Sequence, residues 1–136
     1  CAYVLTDHLP SQLSAAPDAI GFKQHHGQSF LVEVKVSRAD FLADAKKAWR
    51  ARPGLGMGSW RYYLTPPNLV HPADLPAGWR LLWCDGARVR RIHDPATGNM
   101  RPDFPERSVE AERRLADSAL SWLQRRYGPF SQVADS

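Results

Sequence analysis

Between Ser29 and Asp40 the hydrophobic period changes with no linker in between, and that change limits the possible folds more than any other feature of the chain. Ser29 to Val36 reads SFLVEVKV, alternating in the way a half-buried strand does, with Phe30, Val32, Val34 and Val36 on one side and Glu33 and Lys35 on the other. The alternation predicts that the four apolar residues are buried and the charged pair stands on the opposite face. From Ser37 the apolar residues Phe41, Leu42, Ala45, Ala48 and Trp49 fall at helical spacing. Ser37 is a natural N-cap, with Asp40 three residues on as a short capping-box partner. Pro53 and the glycines that follow it should stop this helix near Arg50 to Arg52. A strand that runs directly into a helix returns that helix onto its own sheet, so the chain reads as α/β.

The remaining segments agree. Cys1 to Thr6 is rich in strand formers, Asp7 to Pro17 is a polar connection, and Asp18 to Phe22 is a short strand that a loop over residues 23–28 pairs antiparallel with Ser29 to Val36. Trp60 to Thr65 is a further strand closed by Pro66 and Pro67. Trp79 to Cys84 and Val89 to His93 form a hairpin around Asp85-Gly-Ala-Arg88. Ser108 to Tyr127 is a second helix, with Glu110 and Glu112 in its first turn, Arg125 and Arg126 in its last, and Leu115, Ala116, Ala119, Leu120 and Leu123 along its apolar face. At 136 residues, one domain over residues 1–136 is the expectation.

Composition excludes several classes. Hydrophobic residues at 43% and charged residues at 24% suit a globular chain rather than a disordered one. No apolar run reaches the length of a membrane span, so no membrane partner and a cytoplasmic location are expected. Two cysteines, Cys1 and Cys84, make neither a disulfide framework nor a four-ligand zinc site. A net charge of +4 favours polyanionic partners without requiring one.

The chemistry concentrates on the strand before the helix. Side chains two apart on a strand share a face about 6 to 7 Å apart, so Glu33 and Lys35 can address one small object. If the preceding strand pairs here, Asp18 lies beside Glu33. Two adjacent carboxylates repel unless they share a proton or a cation, and Mg²⁺ or Mn²⁺ would satisfy both. Asp18 and Glu33 would then hold the metal, with the Val34 carbonyl as a further oxygen ligand, and Lys35 would position or deprotonate a water for attack on a phosphodiester. The alternative reading of Glu33 and Lys35 alone is a surface ion pair worth under about 1 kcal/mol.

Pro17-Asp18, fourteen residues, then Glu33-Val34-Lys35 resembles the PD-(D/E)xK nuclease signature, and PDAIGF, LVEVKVSRADFLADAKK, GMGSWRYYLTPP and LPAGWRLLWCDG together resemble small phage- and prophage-type members of that superfamily. The resemblance runs from about Cys1 to His93. It implies a restriction-endonuclease-like mixed central sheet flanked by helices, metal binding at Asp18 and Glu33, and catalysis at Lys35. Many members carry an acidic residue on a helix ahead of the first core strand. The 136 residues are expected to lack that helix, and Asp7 is the only acid among them before Asp18.

Other residues offer roles around this centre. Lys46, Lys47, Arg50 and Arg52 could form a phosphate-tracking ridge. Gly54, Gly56 and Gly58 lack the lysine of a P-loop and suggest a mobile loop beside a substrate channel. Trp60, Tyr62 and Tyr63 read mainly as packing, and His25 and His26 as solvated loop residues. The resulting expectation is a Mg²⁺-dependent deoxyribonuclease, an endonuclease of weak or structure-selective specificity acting on DNA, with branched DNA and a homodimer as one form. The alternatives are a non-catalytic nucleic-acid-binding protein that keeps the nuclease fold, and an RNA-processing nuclease.

Overall fold

The computed structural model describes residues 3–6, 17–23, 27–47, 50, 52–94 and 101–128, with residues 3–6 as backbone. Asp7, His25, His26, Ala48 and Trp49 lie outside them. The fold is α/β, built on a six-stranded mixed sheet whose spatial order follows the chain: β1 (Tyr3–Thr6), β2 (Ala19–Phe22), β3 (Ser29–Val34), β4 (Trp60–Thr65), β5 (Arg80–Cys84) and β6 (Val89–His93). The central pairs β3–β4 and β4–β5 are parallel, and the outer pairs are antiparallel. Parallel neighbours require a crossover. Between β3 and β4 it contains α1 (Arg38–Ala45), whose N-cap Ser37 accepts from the Asp40 amide as expected. Helix α2 (Val109–Tyr127) follows β6, capped by Ser108.

Strand positions agree with the sequence reading to within two residues, but the face assignment is reversed. Leu31 is 2% exposed, whereas Val34 and Val36 are 44% and 72% exposed. Leu31 pairs with Ile20 on one side and Arg61 on the other, and Tyr63 with Leu81, so these residues form one face. Phe41 of α1 packs there with Leu31, Tyr63, Leu81, Trp79, Val70 and Phe104, and Leu115 of α2 packs with Ile20 and Met57. Both helices therefore sit on the face that carries Glu33 and Lys35. The Phe30 face keeps a stack of Phe30 on Trp60 at 4.8 Å, with the Lys23 ammonium 4.5 Å from the Trp60 ring.

Helix α1 is also shorter than its apolar pattern. Past Ala45, Lys47 N donates to Asp44 O and Arg50 N to Lys47 O, and Arg50 is again helical. Residues six apart on a continuous helix stand about 240° apart round its axis; with α1 ended at Ala45, Arg50 Nε donates to Asp44 Oδ2 at 2.9 Å. In α2 the buried line is Glu112, Leu115 and Ala119, and Leu120 is exposed.

The glycine-rich segment is not a mobile loop. Gly56 to Ser59 are buried and tied on several sides: Ser59 N donates to Ser29 O, Phe104 N to Ser59 O and Ser108 N to Gly56 O. Glu112, 4% exposed, accepts from Ser29 Oγ at 2.5 Å and from Gly58 N at 2.8 Å, and pairs with Arg107 at 3.2 Å. Gly56 leaves room for the guanidinium of Arg61, which donates to the carbonyls of Gly58 and Pro53 and stacks 4.0 Å from Phe104. Burial, aided by the nearby Arg50 charge, lowers the Arg61 pKa to about 10, which still leaves it a cation at neutral pH.

Gly58 has a positive φ of 97°, and a Cβ added there would lie 2.6 Å from the Leu31 Cβ. Gly86 has a φ of 93° with nothing within 4 Å. Gly86→Ala should therefore cost about 1 to 2 kcal/mol of backbone strain, whereas Gly58→Ala should cost roughly 1 to 3 kcal/mol more through overpacking, read as the difference in urea midpoints at equal m-values.

Candidate functional site

The hairpin of β2 and β3 creates the site through its register. Ile20 faces Leu31, so two residues further along each strand Asp18 and Glu33 share the same face of the sheet. Ala19 faces Val32, so continuing the ladder by one bonded pair would set Pro17 against Val34. A proline has no amide hydrogen, so Pro17 cannot donate to the Val34 carbonyl. The Val34 N–H points to the same edge and donates instead to Asp18 Oδ2 at 2.7 Å. The hairpin thus ends with the Asp18 carboxylate on the Val34 amide, on the strand end that carries Glu33.

Glu33 is largely buried and divides its oxygens between two cations. Oε1 lies 3.5 Å from Arg50 Nη2 and Oε2 lies 3.9 Å from Lys35 Nζ. Burial raises the Glu33 pKa to about 7; the negative charges of Asp18 and Asp44 add to this, and Arg50 and Lys35 oppose it. Asp44, 1% exposed, stands behind the pair on α1. Its Oδ2 accepts from the Tyr63 hydroxyl at 2.5 Å and from Arg50 Nε at 2.9 Å. Its Oδ1 lies 3.2 Å from Lys47 Nζ and 3.5 Å from Lys35 Nζ. Burial alone would raise the Asp44 pKa, but the Tyr63 hydrogen bond and the Arg50 charge outweigh it and leave the pKa below the ordinary carboxylate value. The Tyr63 hydroxyl is pushed far upward by its burial and by donating to that carboxylate. The Arg50 guanidinium stacks 4.4 Å from the Trp79 ring.

The structure therefore brings together Asp18, Glu33, Lys35 and the Val34 backbone. It does not assemble the basic ridge as a unit. Arg50, whose side chain is 3% exposed, turns inward, because Glu33 and Asp44 need a buried counter-charge. Lys47 is split between solvent and Asp44, while Lys46 and Arg52 stay exposed. Asp44 was missed in the sequence. Its signal was an acid three residues after Phe41, on the core side of the helix.

Two openings flank the charged pair, one bounded by Glu33, Arg50, Gly56 and Met57, the other by Val34, Lys35, Asp40, Asp44 and Lys47. The donor set for a metal is two carboxylates and a carbonyl. Among the described residues no group of three or more His, Cys, Asp or Glu side chains is arranged to hold a metal ion. Two acids with one backbone oxygen fit a hard cation that keeps several waters, and fit a soft one poorly.

Neither a family model nor a curated protein matches this chain. A solved structure does: the SPO1766 protein of unknown function from Silicibacter pomeroyi, at 23% identity and a TM-score of 0.55, over 94% of this chain and 81% of that one. The likeness is one of fold. Among the described residues, no helix is long and apolar enough to cross a membrane.

The raised pKa of Glu33 fixes a sign. The folded state holds the Glu33 proton up to about pH 7 and the unfolded chain releases it near 4.5, so stability falls as pH rises between these values, by at most about 3 kcal/mol. Glu33→Gln cannot ionise and should lose none of that stability. Relative to the natural chain it should become progressively more stable from pH 5 to pH 8 in urea melts; a difference that does not change with pH would show that Glu33 ionises without penalty.

Proposed function

We propose that the chain is a metal-dependent nuclease of the PD-(D/E)xK type that hydrolyses DNA phosphodiester bonds at the Asp18, Glu33 and Lys35 cluster. The observation that carries this reading is the end of the β2–β3 hairpin, where Asp18 accepts from the Val34 amide at 2.7 Å and Glu33, on the same face, lies 3.9 Å from the Lys35 ammonium. Asp18, Glu33 and the Val34 oxygen would hold Mg²⁺ or Mn²⁺, which would supply polarisation of the phosphate and acidification of a water. The Lys35 ammonium, flanked by Glu33 and Asp44, orients the attacking water and faces the charge that grows on the non-bridging oxygens. The water oxygen forms the new P–O bond as the bridging bond breaks. Its proton passes to solvent, and the leaving oxygen takes one up. Exposed Lys46 and Arg52 add sequence-independent attraction for the backbone.

One observation favours a second reading, a nucleic-acid-binding protein without catalysis: Arg50 and Lys35 already flank Glu33 as partial counter-charges, on the sides a metal would otherwise take.

A single experiment separates them. Labelled duplex, branched and single-stranded DNA, and RNA, are incubated with the protein in Mg²⁺, Mn²⁺ or EDTA. Cutting of DNA that needs the metal, and that falls at least roughly 100-fold in a folded Lys35→Ala variant, is the expected result. Binding without cutting in any metal would sink the nuclease reading and leave the second, and cutting confined to RNA would reassign the substrate.

A further inference from the structure

We infer that Asp44 is the positioning residue of this site, setting the Lys35 ammonium through one carboxylate oxygen and, through Arg50 on the other, the orientation of Glu33. The inference rests on the nuclease reading for its catalytic consequence, but its structural content stands on geometry alone. A buried carboxylate needs its lone pairs satisfied. Oδ2 is saturated by Tyr63 at 2.5 Å and by two Arg50 nitrogens at 2.8 and 2.9 Å. Oδ1 is buried and accepts no hydrogen bond among the described residues, and what faces it is charge: Lys47 at 3.2 Å and Lys35 at 3.5 Å. The two oxygens are thus used differently, one locked and one left as an electrostatic seat.

The lock keeps Asp44 from moving. Tyr63 lies on β4 in register with Glu33, and its ring is packed between Phe41 and Trp79 at 4.9 and 4.4 Å, so the hydroxyl has a fixed place. Arg50 is held at Asp44 by its own two contacts and by the Trp79 face, and its Nη2 reaches Glu33 Oε1. That contact leaves Glu33 Oε2 on the Lys35 side. Lys35 therefore stands between two carboxylates whose positions are both set by Asp44, one directly and one through Arg50. Its four-carbon stem would otherwise sample many rotamers, and a catalytic group must be held to within a fraction of an ångström.

The test uses Asp44→Asn, which keeps the shape and an acceptor for Tyr63 and Arg50 but removes the charge at the seat. Tyr63→Phe, which loosens the lock and leaves the charge, is the second variant should the first not fold. The first readout needs no activity: Lys35 acetylation by an acyl ester is followed by peptide mass spectrometry, with Lys23 as internal reference. Lys35 should react about fivefold faster in Asp44→Asn and about twofold faster in Tyr63→Phe, relative to Lys23. The second readout is DNA cleavage in Mg²⁺, where kcat should fall at least tenfold in Asp44→Asn while KM for DNA stays within threefold. The further loss caused by Asp44→Asn should vanish in a Lys35→Gln background, as it would not for a merely structural residue. Unchanged Lys35 labelling in whichever variant folds overturns the proposal, as does a kcat loss of the same size with Lys35 replaced. If the natural protein cuts nothing while Lys35 labelling still rises, the nuclease reading falls and the positioning by Asp44 is upheld.

Discussion

Each helix is docked onto the sheet by a buried carboxylate, and the rest of the architecture is arranged to compensate those two charges. Asp44 of α1 is 1% exposed and Glu112 of α2 is 4% exposed. An unpaired charge at such depth would be prohibitive, so each recruits donors from distant parts of the chain. Glu112 draws in Ser29 from β3, the Gly58 amide ahead of β4, and Arg107. Asp44 draws in Tyr63 from β4, Lys35 from just beyond β3, and Arg50. Strand β3 thus begins at one carboxylate and ends at the other. These bonds tie α2 to the start of β3 and α1 to its end and to β4, beside the apolar packing of Leu115 and Phe41.

That dependence explains where the sequence could be read and where it could not. The elements were legible because periodicity, caps and turn residues agree: Ser37 and Ser108 cap the helices, and Asp85 closes the hairpin turn through the Ala87 and Arg88 amides. The buried face of β3 was not. Alternation shows that a strand has two faces, and burying four apolar residues rather than a charged pair is the ordinary choice. Here the core lies on the side of Leu31, because Ile20, Tyr63 and Leu81 come from other strands to meet it, and Glu33 and Lys35 extend that same face to the rim. Nothing within the eight residues of the strand records those partners. The helix end was also read too late: Ala48 and Trp49 continue the apolar spacing, whereas α1 ends at Ala45.

The candidate site divides in the same way. Asp18, Glu33 and Lys35 were legible because a hairpin couples positions by simple arithmetic: once residues 20 and 31 pair, residues 18 and 33 share a face. Asp44 and Arg50 were not, since they lie six residues apart and meet only after the helix is interrupted. Arg50 read as one member of a basic run, and no local pattern separates the cation that turns inward from the ones that stay in water.

With Glu33 ionised, the charges at the centre balance. Three carboxylates, Asp18, Glu33 and Asp44, stand among three cations, Lys35, Lys47 and Arg50. Coulomb attraction for a free phosphate is therefore weak at the centre itself, and a polyanion would have to be gathered by exposed cations outside it, such as Lys46 and Arg52. A divalent ion entering between Asp18 and Glu33 would change that sign locally, turning a neutral cluster into one with two excess positive charges next to Lys35. The same balance accounts for the raised pKa of Glu33: each cation near it is shared with Asp44, so neither compensates Glu33 in full, and burial decides the direction.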